Sequence, residues 1–481
     1  MLSLILAAMA VPAAADKIVG SVMIVRHGDR TAKSADKTVL TPIGEQEQYE
    51  QGSFFHSRYF NTSSDFHIEG LNSTYQASQI AASVPNSAVL QNSQLAFLQA
   101  LYPPISTLSD DGEATVLGSS LSNGTDDASP LDGYQYVTIQ GVDEETPDAI
   151  WIEGASSCPA ATNASKSYYD SDEFKKLNES TYDFYQGLYD LLGGGVPKSK
   201  LNYKNAYTVY DYYLVNMIHN QTFYDNVKDH GETYMKVKTL QDQLSKALNY
   251  NSSNPDTYIA GKTLGGKVLS ALNETKTTGE PFLTLMHASY STFYSLFGAL
   301  DLFSVDDATF TGLVNYASAA AFELIEKDDG SQYVQFSFRN GTESTTNSTA
   351  SQPSPPLTAY RVLGSDDTHM DYDSFVSELK KVAITDLSSW CSACSATLDM
   401  CIPYSQDYLT AKAHDFKFST NNLTLAGAGG IGAGVTLGVC AIVGGLVFLF
   451  LRRRRQGSTV SDASSDITHI QSANKSEMSQ V

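Results

Sequence analysis

Arg26-His27-Gly28-Asp29-Arg30 sets a guanidinium on each side of one imidazole. Guanidiniums stay charged and fork onto oxyanions, and phosphate fits such forks best. An imidazole held between them can attack phosphorus and carry the phosphoryl group on nitrogen. Gly28 lets the backbone turn sharply and approach a ligand closely. A second histidine, His287, follows the apolar run Pro281-Phe282-Leu283-Thr284-Leu285-Met286 and precedes a helical pattern. Such a strand, histidine and helix start make a second anion site.

Elements must bring these residues together. Ile18, Val19, Val22, Ile24 and Val25 predict a buried strand ending at the Arg26–Arg30 loop. Open α/β sheets place ligands at the carboxyl ends of their strands. Thr41 and Pro42 suit a helix N-cap and first turn, and Ile43, Tyr49, Phe54 and Phe55 give that helix an apolar stripe ending near Arg58-Tyr59. Phe66-His67-Ile68 reads as the next strand. Residues 281–286 read as another, followed by a helix with Phe293, Leu296, Phe297 and Leu300 at i, i+3, i+4 and i+7. Tyr333–Gly341 alternates in period two and ends in Asn-Gly, a strand and turn signal.

Arg-His-Gly-x-Arg after an N-terminal strand resembles the histidine acid phosphatases, the branch of the phosphoglycerate mutase-like superfamily that includes fungal phytases. Leu40-Thr41-Pro42-Ile43-Gly44-Glu45-Gln46 resembles the family's second block. Gln94–Pro104 resembles the block after its third phosphate-binding arginine. The likeness runs from about Lys17 to Cys401. It implies an α/β fold: a mostly parallel central sheet with helices on both faces, plus an inserted helical cap subdomain within about 107–277. It implies His27 as nucleophile, Arg26, Arg30 and His287 as catalytic and substrate-binding residues, and neither metal nor organic cofactor. The chain departs from the pattern twice. No arginine lies between Arg58 and Arg339, so Val89, Gln91 or Gln76 stands where the third is expected. Where the family has His-Asp, with the aspartic acid protonating the leaving group, this chain has His287-Ala288. Asp29 and Glu69 are candidates for a relocated acid. Ser365-Asp366-Asp367-Thr368-His369 comes too late in the order to be that acid and reads as a helix start.

The chain has 481 residues, is 42% hydrophobic and carries a net charge of −22. That charge excludes nucleic acid as a partner and disfavours a polyanionic substrate such as phytate. Outside residues 452–455, arginines are confined to Arg26, Arg30, Arg58, Arg339 and Arg361. Leu2–Val11 followed by Ala13-Ala14-Ala15 fits a signal peptide spanning 1–15. Residues 426–451 are uncharged and long enough to cross a bilayer, and Arg452–Arg455 marks the cytoplasmic side. The expected plan is a single-pass protein at the plasma membrane or cell surface. Its ectodomain spans 16–404 and lies outside the cell, with a linker at 405–425, the span at 426–451 and a tail at 452–481. Asn-x-Ser/Thr sequons at Asn61, Asn72, Asn123, Asn163, Asn178, Asn220, Asn251, Asn273, Asn340, Asn347 and Asn422 fit a glycosylated ectodomain.

Cys440 falls in the span, leaving Cys158, Cys391, Cys394 and Cys401 for two disulfides. Three pairings are open, and Cys394–Cys401 with Cys391–Cys158 is the expected one. Two functional readings follow. One is a cell-surface phosphatase hydrolysing phosphate monoesters through a phosphohistidine, weak or with a relocated acid. The other is an inactive relative that binds a phosphorylated ligand. The intact Arg-His-Gly-x-Arg box favours the first, while Ala288 and the absent arginine favour the second.

Overall fold

The computed structural model describes residues 16–410 except 36, 109–119, 126, 128, 343–354 and 407. The chain divides into two units, Met1–Ser405 and Gln406–Val481, and the fold below is that of the first. The segments 1–15, 426–451 and 452–481, read above as leader, span and tail, lie outside the described residues. No helix among the described residues is long and apolar enough to cross a membrane.

An eight-stranded sheet forms the centre. Its strands are β1 (Lys17–Arg26), β2 (Ile80–Pro85), β3 (Gln140–Val142), β4 (Leu283–Ala288), β5 (Ala319–Glu326), β6 (Gln332–Arg339), β7 (Thr358–Tyr360) and β8 (His369–Asp371). Their order is β3-β2-β4-β1-β5-β6-β7, with β8 also on β6. The β3-β2-β4-β1 side is parallel, and β5 to β8 continue antiparallel. β1 is central, so its apolar residues are buried on both faces. Val22 and Ile24 enter one core cluster while Met23 and Val25 enter the other, as strand alternation requires.

Helices α1 (Pro42–Tyr59) and α2 (Ala88–Leu101) cover the Met23 and Val25 face through Phe55, Tyr59, Phe97 and Leu101. Tyr59 also donates to Glu323, which binds Arg58 through both carboxylate oxygens. The opposite face carries α5 (Ile259–Thr278) and α6 (Tyr290–Ala299), with Leu264, Val268, Phe293 and Phe297 in the core. Before them come α3 (Ala206–His219) and α4 (Gly231–Asn249). These two helices share a second, tyrosine-rich core that starts at Phe174 and takes in Tyr294 of α6 and Leu313.

Several expectations are corrected. Phe66-His67-Ile68 is turn, not strand, and the second strand is Ile80–Pro85. Ile68 is buried as a single anchor under α1, a role that carries no period-two signal. Within 107–277, β3 pairs with β2 in the main sheet and α5 packs on the sheet face. The disulfides are Cys158–Cys394 and Cys391–Cys401, the converse of the expected pairing. Helix α7 (Leu387–Cys394) ends at Cys394, whose Cα lies 4.8 Å from that of Cys158. Cys391, one turn back, meets the returning chain at Cys401. Helical spacing decides which thiol faces which segment, and linear proximity does not.

Candidate active site

The loop after β1 is built on close backbone packing. A Cβ on Gly28 would lie 2.3 Å from the Gly44 carbonyl oxygen, and one on Gly44 would lie 2.1 Å from the Asp29 oxygen. The loop therefore rests directly on the first turn of α1. Thr41 caps that helix by accepting the Gly44 N–H, and its hydroxyl donates to Asp29. The Gly28 amide donates to Ser93 of α2 at 3.2 Å, and the Asp29 amide to Glu47 Oε2 at 2.7 Å.

His27 is buried. Its Nδ1 donates to the Gly28 carbonyl at 2.8 Å, which leaves the lone pair on Nε2. Burial first, then the Arg26 and Arg30 charges, holds its pKa well below the ordinary imidazole value. A neutral ring with Nε2 unprotonated is the nucleophilic form, and it persists into acid. Tyr316 lies 5.6 Å from the His27 ring, centroid to centroid, and under the Arg26 guanidinium at 4.4 Å. Arg26 also donates to the Val314 carbonyl. Arg26 and Tyr316 open onto a cavity of about 280 Å³, walled by Leu214, Met217, Ile218 and Leu313. A larger depression of about 510 Å³ between α1 and α2 is bordered by Glu45, Tyr49 and Leu95, and none of the Arg26–Arg30 residues reaches it.

Arg30 is held by the helical subdomain. Its Nη2 donates to Asp211 at 2.8 Å and to the Tyr207 hydroxyl at 3.0 Å. Asp211 also accepts the Lys33 amide at 2.7 Å, and His219 bonds Asp29 at 2.6 Å. Tyr207, Asp211 and His219 stand at steps of four and eight along α3, so one helix stripe grips the loop. None of the three was legible as a site residue, because their partners lie nearly two hundred positions away in the chain.

His287 is placed beside the loop, since β4 pairs with β1 in register and Arg26 faces Ala288. Its side chain is fully buried and, like those of His27 and Arg30, does not line the cavity, of which Arg26 is the loop's contribution. Nε2 donates to Gln48 Oε1 at 3.0 Å and Nδ1 accepts from Gln94 at 3.4 Å. Gln48 in turn donates to the Arg26 carbonyl at 2.7 Å. Burial pushes the His287 pKa down to about 3. In this arrangement it braces the loop through Gln48.

Ala288 packs its methyl into the core, so no carboxyl stands at that strand end. Of the relocated-acid candidates, Glu69 pairs with Lys17 at the start of β1, the far end of the sheet. Asp29 is fully buried, with Oδ2 taken by Thr41 and His219 and Oδ1 without a hydrogen-bond partner among the described residues, and it does not line the cavity. Gln76 precedes β2 and so lies at the wrong end of a parallel strand to replace the third arginine. Gln91 is bonded to Asn86, and Val89 is buried in α2. The residues of α2 that reach the site are Ser93 and Gln94. Arg339, which donates to Gln51 and to the Pro355 carbonyl, does not supply the missing charge. No group of three or more His, Cys, Asp or Glu side chains among the described residues is placed to hold a metal.

The fold resembles solved phytases. The Citrobacter braakii phytase superposes with a TM-score of 0.52 at 14% identity, over 79% of this chain and 99% of that one. Hafnia alvei phytase in complex with tartrate gives 0.51 at 12% identity, over 79% and 99%. No protein of curated function matches the sequence. The family model for branch 2 of the histidine phosphatase superfamily matches residues 35–339. That span starts just after the nucleophile loop and ends at the close of β6. With the buried Arg-His-Gly-x-Arg loop at the carboxyl end of the central strand, the assignment is complete: the chain belongs to the histidine phosphatase superfamily, branch 2.

Proposed function

We propose that this chain is a cell-surface phosphatase that hydrolyses phosphate monoesters through a phosphohistidine on His27. The observation that carries the reading is the His27 ring, neutral, fixed through Nδ1 on Gly28, and set between Arg26 and Arg30. Nε2 attacks phosphorus while Arg26 steadies the phosphoryl oxygens. His287 and Gln48 hold the loop in the attacking geometry. The similar solved structures are phytases, but the features here favour a singly phosphorylated ester. The cavity wall is mainly apolar, and its Lys238 is already paired with Asp242 at 2.7 Å. In the sequence, the apolar run 2–11 before Ala13-Ala14-Ala15 and the uncharged stretch 426–451 before Arg452–Arg455 support an extracellular site with residues 452–481 inside.

The test uses the full chain in detergent, with His27→Ala beside it, on p-nitrophenyl phosphate between pH 3 and 7. Hydrolysis by the wild type that is abolished in the variant is the expected result. Equal rates in the two would remove the enzyme reading. The second reading, a ligand-binding relative that does not turn over, is favoured by one observation: Asp211 already occupies the Arg30 guanidinium. It predicts saturable phosphate binding, weakened by Arg26→Ala, without product release.

A further inference from the structure

Ala288 leaves the proposed reaction without an acid at the end of β4, and neither Glu69 nor Asp29 lines the cavity. One carboxyl does line the cavity with Arg26 and Tyr316. It belongs to Glu47, on the second turn of α1, which is 2% exposed. Its position follows from the way α1 is laced to the loop. Thr41 and Gly44 pack the first turn against Asp29, and the next turn then presents two adjacent side chains to the loop. Gln48 takes the Arg26 carbonyl, and Glu47 Oε2 takes the Asp29 amide at 2.7 Å. That amide needs only a neutral oxygen, which a glutamine would supply as well. Neighbouring Gln46, Gln48 and Gln51 show that α1 uses amides freely. Burial of a carboxyl here carries a desolvation cost that an amide would avoid.

We propose that Glu47 is the proton donor to the leaving oxygen, an assignment that rests on the phosphatase reading above. His27 Nε2 attacks phosphorus and the P–O bond to the leaving group breaks. The electron pair stays on that oxygen, which takes the Glu47 proton and departs as an alcohol. The Glu47 carboxylate then takes a proton from the incoming water. The water oxygen bonds phosphorus, the P–N bond breaks with its pair returning to His27, and inorganic phosphate leaves with Glu47 reprotonated. The resting state suits this. Burial, opposed by the Asp29 amide and reinforced by the Asp29 carboxylate, pushes the Glu47 pKa up to about 8, so the group carries its proton at acid and neutral pH.

The experiment is single-turnover release of the alcohol by the full chain in detergent, from n-butyl phosphate and from p-nitrophenyl phosphate. Butanol needs a proton to leave and nitrophenolate does not. Glu47→Gln, which keeps the bond to the Asp29 amide, is expected to slow butanol release by about 10²–10⁴-fold. Nitrophenol release is expected to fall by less than about tenfold, the gap between the two being the signature of a lost general acid. Glu47→Asp, which retains a carboxyl, is expected to lie between wild type and Glu47→Gln on the butyl ester. Equal losses on both esters, an unchanged butyl rate, or a reversed order of the two variants overturns the assignment. Wild-type chain that releases neither product faster than His27→Ala sinks the phosphatase reading itself, and Glu47's role with it.

Discussion

A histidine whose two ring nitrogens are both satisfied by neutral partners away from water has nothing to gain from a second proton, and His287 is in that position. Its folded pKa of about 3 lies below the unfolded value near 6.5, so the unfolded chain binds the extra proton first as pH falls. Stability that is fully present above pH 6.5 is therefore lost on acidification, by about 1.4 kcal/mol per pH unit from this group. Glu47 acts in the opposite sense. Its raised pKa stabilises the fold below the ordinary carboxylate range, and that contribution fades as pH rises toward 8. His287→Asn separates the two. At pH 7 the variant is expected to lose about 1–3 kcal/mol, the cost of a disturbed buried hydrogen-bond pair. Between pH 7 and 4 the balance should shift by about 3 kcal/mol in the variant's favour, which closes or reverses the gap, read from denaturant midpoints at each pH. Parallel stability curves would mean that His287 charges freely in the fold. Part of this was legible in the chain: His27, Arg26 and Arg30 declare themselves because their chemistry lies in five adjacent residues. His287 was legible by position and not by role, since a strand-end histidine looks the same whether it faces a ligand or a pair of glutamines. Glu47 was not legible, because its significance comes from burial and from the Asp29 amide.

Between elements, the decisive contact is the α3 stripe on the nucleophile loop. Asp211 places a carboxylate 2.8 Å from Arg30, where a phosphoryl oxygen would otherwise bind. An incoming phosphate must displace this contact or share the guanidinium with it. Asp211→Asn removes the charge while leaving an oxygen for the Lys33 amide. We expect inorganic phosphate to inhibit the variant about tenfold more strongly, corresponding to the ~1.4 kcal/mol scale of one charge-assisted hydrogen bond. An inhibition constant that rises instead would mean Asp211 serves to hold Arg30 in shape and does not compete for it. The strands and helices of this region were largely readable from the chain. β1 and β4 follow from continuous apolar runs, β6 from period-two alternation, α6 from its i, i+3, i+4, i+7 spacing and α1 from its Thr41 cap. The expected apolar stripe of α1 fails: Ile43 and Tyr49 are exposed, and the face it buries carries Glu47, Gln48 and Gln51 beside Phe55 and Tyr59. What escaped were pairings that join distant segments: the α3 grip on the loop, β3 within the sheet, and the disulfide partners. Each is set by which face of one element meets another, and no local spacing encodes that.

For the molecule as a whole, charge selects among esters before any contact forms. The chain carries a net charge of −22, and its site offers two guanidiniums, one of them already paired, with Lys33 beside them. His27 and His287 are neutral, and Lys238 is tied to Asp242. A dianionic monoester meets modest repulsion and then the Arg26 guanidinium. A polyphosphorylated ester meets the same repulsion several times over, with no further cations along the Leu214, Met217 and Leu313 wall to receive its remaining phosphates. Electrostatic steering changes encounter rates by about 10–10³-fold in favourable cases, and the same field acting on a like charge slows them. The expected result is a kcat/KM for p-nitrophenyl phosphate on the order of 10²-fold above that for inositol hexakisphosphate in low salt. Raising ionic strength to physiological values shortens the screening length to about 8 Å and should narrow the ratio, chiefly by improving the hexakisphosphate. A ratio near unity that salt leaves unchanged would mean the pocket holds a cationic surface local enough to outweigh the protein's overall charge. A ratio that widens with salt would mean the preference comes from the shape of the apolar wall and not from charge.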